Sequence, residues 1–134
     1  MKIRIDDKIK MNSRDPKIIA LLFNECINNR DITGLSNLMS EDHTFIDREG
    51  NIYKPKEKMV EAWKSFFEMY PHYKNTFNKI ESRDNVVIIT GHAFWSEENS
   101  FDPAIWVVII EDDLVAEWHL YYDNEGIRNK LLIS

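Results

Sequence analysis

Asp47, in the run His43-Thr44-Phe45-Ile46-Asp47-Arg48-Glu49-Gly50, is the carboxylate best placed to do chemistry. It ends a short apolar stretch. Rings such as Phe45 around it would disfavour its charged form and raise its pKa toward the range of a general base near neutrality. Turn chemistry offers the other reading, an aspartate that caps the turn at Glu49-Gly50-Asn51 and does no proton transfer. Both readings stand at this stage, and Arg48 is a candidate to neutralise the carboxylate. The histidines, His43, His72, His92 and His119, form no pair with carboxylates at metal-ligand spacing on a shared face, so neither a metal nor a cofactor is expected. His92 faces outward if Gly91, Ala93 and Trp95 face inward; one residue of slip would reverse this. There is no glycine-rich phosphate loop, nucleophile elbow or Cys-His pair.

The aromatic residues are the second candidate set. Trp63, Trp95, Trp106 and Trp118, with Phe23, Phe45, Phe66, Tyr53 and Tyr122, are many rings for 134 residues. Such stripes usually fill a core. Each indole also carries an N–H that needs a partner when buried, and several such donors around one cavity suit a flat, apolar, carbonyl-bearing molecule.

The positioning elements are legible in order. Residues 1–14 read as a loose, charged arm before a single domain over 15–134, and Met11 is an alternative start. Asp15-Pro16 opens a first helix carrying Ile19, Leu22, Phe23, Cys26 and Ile27, and Asp31 caps a short second one. His43 to Asp47 reads as a short strand. Pro55 opens a third helix whose stripe is Met59, Ala62, Trp63, Phe66, Phe67 and Tyr70, and Pro71 stops it. Strands follow over 74–82 and 86–97, the first with an alternation broken at Phe77 and Ile80 that suggests a bulge. A long hairpin then turns at Glu111-Asp112-Asp113. Its first strand is apolar on both faces, so it is interior. Its second puts Leu114, Ala116, Trp118, Leu120 and Tyr122 on one apolar face. Helices followed by antiparallel strands argue for α+β.

A single domain of this length buries a sizeable core without disulfides, and the lone Cys26 gives none. Net charge is −6, which disfavours nucleic acid, and no apolar run reaches the ~18 residues of a membrane span, so no nucleic-acid or membrane partner is expected and a cytoplasmic setting is the default.

Three stretches, NNRDITGLSNLMSEDHTFIDREG, PKEKMVEAW and IIEDDLVAEWHLYYD, resemble in order and spacing the nuclear-transport-factor-two-like superfamily, and within it the SnoaL-like polyketide cyclases, ketosteroid isomerases and limonene epoxide hydrolases. The resemblance covers roughly residues 15 to 130. It implies a cone, a strongly bent antiparallel sheet wrapped around three N-terminal helices with an apolar pocket at the open end. It also implies a homodimer through the outer sheet face, where Ile105, Val107 and Ile109 lie. Asp47 falls where the isomerases have their general base. Phe23 and Trp106 stand where those enzymes place an oxyanion tyrosine and a protonated aspartate, Leu120 where an epoxide hydrolase has a catalytic aspartate, and Gly91 and Ala93 where it has an arginine–aspartate pair. The expected site is therefore Asp47 with Phe23, Phe45, Tyr53, Trp63, Trp95, Trp106, Trp118, Leu120 and Tyr122 around a small hydrophobic molecule. The protein is either an isomerase-, cyclase- or hydrolase-like enzyme with Asp47 as base, or a non-catalytic binding or dimerisation module.

Overall fold

The computed structural model describes residues 14–134. Of the arm expected over 1–14, all but Arg14 lies outside the described residues. Asp15 caps α1 (Pro16–Asn28) by accepting from the Lys17 N–H, and Asp31 caps α2 (Ile32–Leu38) by accepting from the Gly34 N–H. The chain then runs through β1 (Met39–Ile46), β2 (Ile52–Tyr53) and α3 (Lys56–Met69). Beyond α3 come β3 (Lys74–Arg83), β4 (Val86–Phe94), β5 (Asp102–Glu111), β6 (Leu114–Tyr122) and α4 (Glu125–Lys130). The strands form one open, curved sheet in the order β2-β1-β6-β5-β4-β3. This is an α+β fold in which α1, α2 and α3 pack on the concave face, as expected.

Three features depart from the sequence reading. β1 begins at Met39, four residues early, and pairs parallel with β6, so the sheet is not wholly antiparallel. A parallel neighbour needs a long crossover, and β1 has one because α3 and four strands, β2 to β5, intervene before β6. Second, the β5–β6 ladder shifts register, pairing Ile109 with Glu117 but Ile110 with Val115. This bulge at Ala116 turns Val115 into the core, where it is fully buried, and interrupts the expected Leu114-Ala116-Trp118 face. Third, α4 and the four residues after it, unread in the sequence, cross the outer face of the sheet. Lys130 Nζ lies 5.4 Å from the Tyr121 ring, Arg83 donates to the carbonyls of Leu131 and Leu132, and Ile133 and Ser134 border a small cleft together with Ile88 and Thr90. Ile105 sits between Tyr121 and Thr90 in the register and is 0% exposed, whereas Val107 and Ile109 are half-buried.

β3 carries the anticipated bulge, between Phe77 and Lys79. It brings the Thr76 carbonyl oxygen to 2.1 Å from where a Cβ on Gly91 would stand, so backbone fills the space a catalytic side chain there would need. α1 docks on this edge strand through a reciprocal pair: Asn28 Nδ2 donates to the Asn75 carbonyl and its Oδ1 accepts from the Asn75 N–H. Asn75 Nδ2 also donates to Asn24 Oδ1. Among the described residues no helix is long and apolar enough to cross a membrane.

His43 is buried beside Phe23, its Nδ1 donating to the Val115 carbonyl at 2.7 Å. Burial pushes its pKa down, against a smaller upward pull from that hydrogen bond. His119 is also held down by burial. A histidine with a lowered folded pKa costs stability as pH falls below its unfolded value of ~6.5, because the unfolded chain takes up the proton first. Unfolding free energy should therefore drop between pH 7 and pH 5, and the drop should shrink in His43→Leu; an unchanged slope would remove His43 as its cause. Gly91→Ala should lower stability by about 1–3 kcal/mol in a denaturant titration, since backbone rather than a flexible side chain must move.

Candidate functional site

The sheet and α3 enclose a cavity of about 430 Å³ that opens to solvent. Its walls are built from three sources. α3 supplies Met59, Trp63 and Phe66, which share one stripe because they recur at helical spacing. β5 and β6 supply Trp106, Trp118 and Leu120 from their inner faces, and β1 supplies Phe45. The mouth is formed by Asp47, Arg48, Glu49 and Tyr53 around the β1–β2 turn, with Trp95 beyond the end of β4.

The large rings divide between packing and lining. Trp118 rests on Phe23 with centroids 4.6 Å apart, and Trp106 rests on Phe77 at 5.0 Å. Trp63 packs among Phe45, Phe66 and Phe67, and Trp95 among Phe66, Tyr70 and Tyr73. Each tryptophan thus has one face against the core and still borders the cavity. Trp63 Nε1 and Trp106 Nε1 are buried without a hydrogen-bond partner among the described residues. Tyr73 is buried in the same wall, and that burial pushes its phenol pKa well up, keeping it neutral.

Of the residues expected around a ligand, Phe45, Tyr53, Trp63, Trp95, Trp106, Trp118 and Leu120 line the cavity. Phe23 and Tyr122 do not. Phe23 is completely buried behind Trp118, where it meets His43. Tyr122 ends β6 half-exposed, its ring under the Arg48 guanidinium at 4.4 Å and its hydroxyl donating to Glu49. His92 faces outward, against Phe101, as favoured from the inward Gly91 and Ala93.

Asp47 borders the cavity, but its electrostatics are opposite to the expectation of a raised pKa. Oδ1 accepts from the Glu49 and Asn51 N–H groups at 3.0 and 2.9 Å, and Oδ2 accepts from Asn51 Nδ2 at 3.0 Å and Tyr53 OH at 3.3 Å. Partial burial pushes the carboxyl up, yet these four donors outweigh it and hold the pKa below the ordinary aspartate value. Tyr53, in turn, has its phenol pushed up by burial and by the Asp47 charge. The local sequence explains the arrangement: Asp47 begins a turn in which Gly50 has φ +88° and the Asp47 N–H donates back to the Asn51 carbonyl.

Arg48, read as a neutraliser of Asp47, instead makes a two-pronged ion pair with Asp102 at the start of β5, at 2.8 and 3.1 Å. Asp102 also accepts from Trp95 Nε1 at 2.9 Å. Burial pushes the Asp102 carboxyl up, and the Arg48 and Trp95 donors more than reverse it. Burial likewise pulls the Arg48 guanidinium down, and Asp102 raises it past its usual value. The pair ties the β1–β2 turn to the β4–β5 ends across the mouth. Neither partner carries a local motif, and their separation along the chain hides the contact. Among the described residues no group of three or more His, Cys, Asp or Glu is placed to hold a metal.

A carboxylate held down by the fold stabilises the protein above its unfolded pKa and loses that contribution as pH falls through its folded one. Asp47→Asn should therefore lower stability at neutral pH by about 1 kcal/mol, in line with the loss of turn hydrogen bonds. An NMR titration of the Asp47 carboxyl should give a value below that of a free aspartate; a raised value would restore the general-base electrostatics.

Residues 20–124 match the SnoaL-like domain family. No curated protein matches the chain in sequence. A protein of Shewanella putrefaciens assigned as a SnoaL-like polyketide cyclase superposes with a TM-score of 0.73 at 13% identity, over 98% of this chain and 97% of that one. An NTF2-like protein of unknown function from Cytophaga hutchinsonii gives 0.69 at 16% identity, over 91% and 99%. TerC, solved with polyporic acid, gives 0.70 at 13% identity, over 86% and 97%. At these identities the structural likenesses speak for the fold, while the sequence match spans most of the protein: the chain belongs to the SnoaL-like domain family.

Proposed function

We propose that this protein binds a flat, apolar small molecule carrying a carbonyl or similar acceptor inside the cone. The observation that carries the reading is the aromatic-walled cavity of about 430 Å³ whose wall holds two buried indole N–H groups, of Trp63 and Trp106, without an acceptor among the described residues. A buried donor left unpaired costs on the order of 1–3 kcal/mol, and a ligand oxygen drawn against it would recover part of that cost. The volume falls within the ~300–1,000 Å³ typical of small-molecule sites. TerC, which shares the fold, was crystallised with polyporic acid, so the architecture accommodates a small ligand in at least one relative.

Binding without proton transfer fits the site better than an isomerase, cyclase or hydrolase reaction. Asp47 is the carboxylate that the enzyme reading requires, and it is committed to four donors and held as a weak base. Where the resemblance would place an oxyanion tyrosine or an acidic partner, the chain carries Phe23, Trp106 and Leu120. A homodimer through the outer sheet face is part of the same proposal. Its apolar centre is Val107 and Ile109, half-buried, with His119 and Glu117 opposite them on β6, because Ile105 is already fully buried within the one chain.

Calorimetry with acetylnaphthalene and ethylnaphthalene, which differ in one acceptor, tests the ligand reading. The ketone should bind roughly 5–10-fold tighter, about the worth of one net hydrogen bond, and Trp106→Phe together with Trp63→Phe should erase the difference. Equal affinities in the parent protein would sink it. For assembly, light scattering should give twice the chain mass, and Val107→Asp should give the mass of one chain.

A further inference from the structure

The charge at the cavity mouth is unbalanced, and the imbalance is built by one residue. Among the described residues the charged side chains that line the cavity are Asp47, Glu49 and Arg48. The single cation is not available to a ligand on equal terms, because Asp102 occupies two guanidinium N–H groups in a pair whose side chains are 15% and 21% exposed. Three carboxylates thus stand against one guanidinium around an opening walled by rings. Asp47 is kept anionic by its turn. Glu49 accepts from the Tyr122 hydroxyl through Oε2, and among the described residues Oε1 makes no side-chain hydrogen bond. Tyr53, whose hydroxyl donates to Asp47, borders the same opening, and a ring face there can hold a cation as Tyr122 already does for Arg48.

We propose that the mouth selects by charge: the ligand carries a protonated amine or quaternary ammonium at its solvent-facing end, beside Glu49 and Asp47, and Asp102 is the specificity-determining residue because it holds Arg48 neutralised. This rests on the cavity being a ligand site. A carboxylate-bearing molecule of the same shape meets two unpaired like charges where the guanidinium would otherwise welcome it, and like-charge juxtaposition is how binding sites exclude wrong partners. The mouth is partly solvated, so the discrimination is of the several-fold kind and sensitive to salt.

The test uses three probes sharing one ring system: naphthylmethylammonium, naphthylmethanol and naphthoate, titrated by calorimetry at neutral pH and low salt. The ammonium should bind about fivefold tighter than the alcohol and the carboxylate weakest, with the spread shrinking as salt rises past ~0.3 M. Asp102→Asn, which uncovers Arg48 and still leaves an oxygen for Trp95, should raise naphthoate affinity by roughly tenfold, and adding Arg48→Gln should cancel that gain. Glu49 is exposed, so Glu49→Gln leaves the fold intact and should reduce the ammonium's advantage about threefold, which decides the matter should Asp102→Asn fail to fold. Naphthoate binding the parent protein as tightly as the ammonium overturns charge selection alone. If none of the three binds, the ligand reading of the cavity falls and takes charge selection with it.

Discussion

The packing of β5 and β6 sets the terms for everything else in this protein. Both strands present large rings inward, and among the described residues α1, α2 and α3 cover them. Trp106 finds Phe77 and Trp118 finds Phe23, each on one side. Side chains this large cannot be met on every face by a single layer of helices without empty space remaining. The cavity is that remainder, bounded on the far side by Trp63 and Phe66 of α3. Truncating one of these rings, as in Trp106→Ala, would enlarge the void and remove contacts at once, a change of about 3–5 kcal/mol in other cores.

An open cone then needs its rim held, and the rim is held electrostatically. Arg48 comes from the turn after β1 and Asp102 from the start of β5, which are not neighbours in the sheet. Their paired hydrogen bonds, with the Trp95 indole on the same carboxylate and the Tyr122 ring beneath the guanidinium, join the two sides of the mouth. Half-buried charges of this kind are costly singly and favourable only together. Asp47 serves the same end more locally, by fastening the turn that carries Arg48 and Glu49. The carboxylates of this site are thereby structural first, and their shared consequence is a negative mouth on an apolar interior.

Much of the architecture was legible because it is local. Capping aspartates at positions 15 and 31, the prolines that bound α3, and the two-faced apolar run of β5 each declare their role within a few residues. The bulge in β3 showed itself as a broken alternation. The bulge at Ala116 did not, because Leu114, Ala116 and Trp118 keep a perfect apolar alternation and only the pairing with Ile109 and Ile110 shows that Val115 turns inward. α4 was hidden by its shortness, and β2 by having two residues.

For the site, the residue types alone determined that rings would dominate the interior, that the sequence carries no metal or nucleophile motif, and that Asp47 is the carboxylate at the end of the apolar run His43 to Ile46. Which way Asp47 would titrate was beyond them. A nearby Phe45 argues for a raised pKa and a following glycine turn argues for a lowered one, and the outcome rests on four hydrogen bonds whose geometry forms only when the turn closes. Phe23 passed for a pocket residue because it is a ring standing where the resemblance places an oxyanion tyrosine, and neither residue type nor position reports how many layers of rings lie in front of it; Trp118 stands between it and the cavity. The pairing of Arg48 with Asp102, 54 positions apart, is likewise a product of strand order. Periodicity and turn chemistry are written along the chain, whereas charge partners and cavity walls depend on distances that exist only after the sheet has curved.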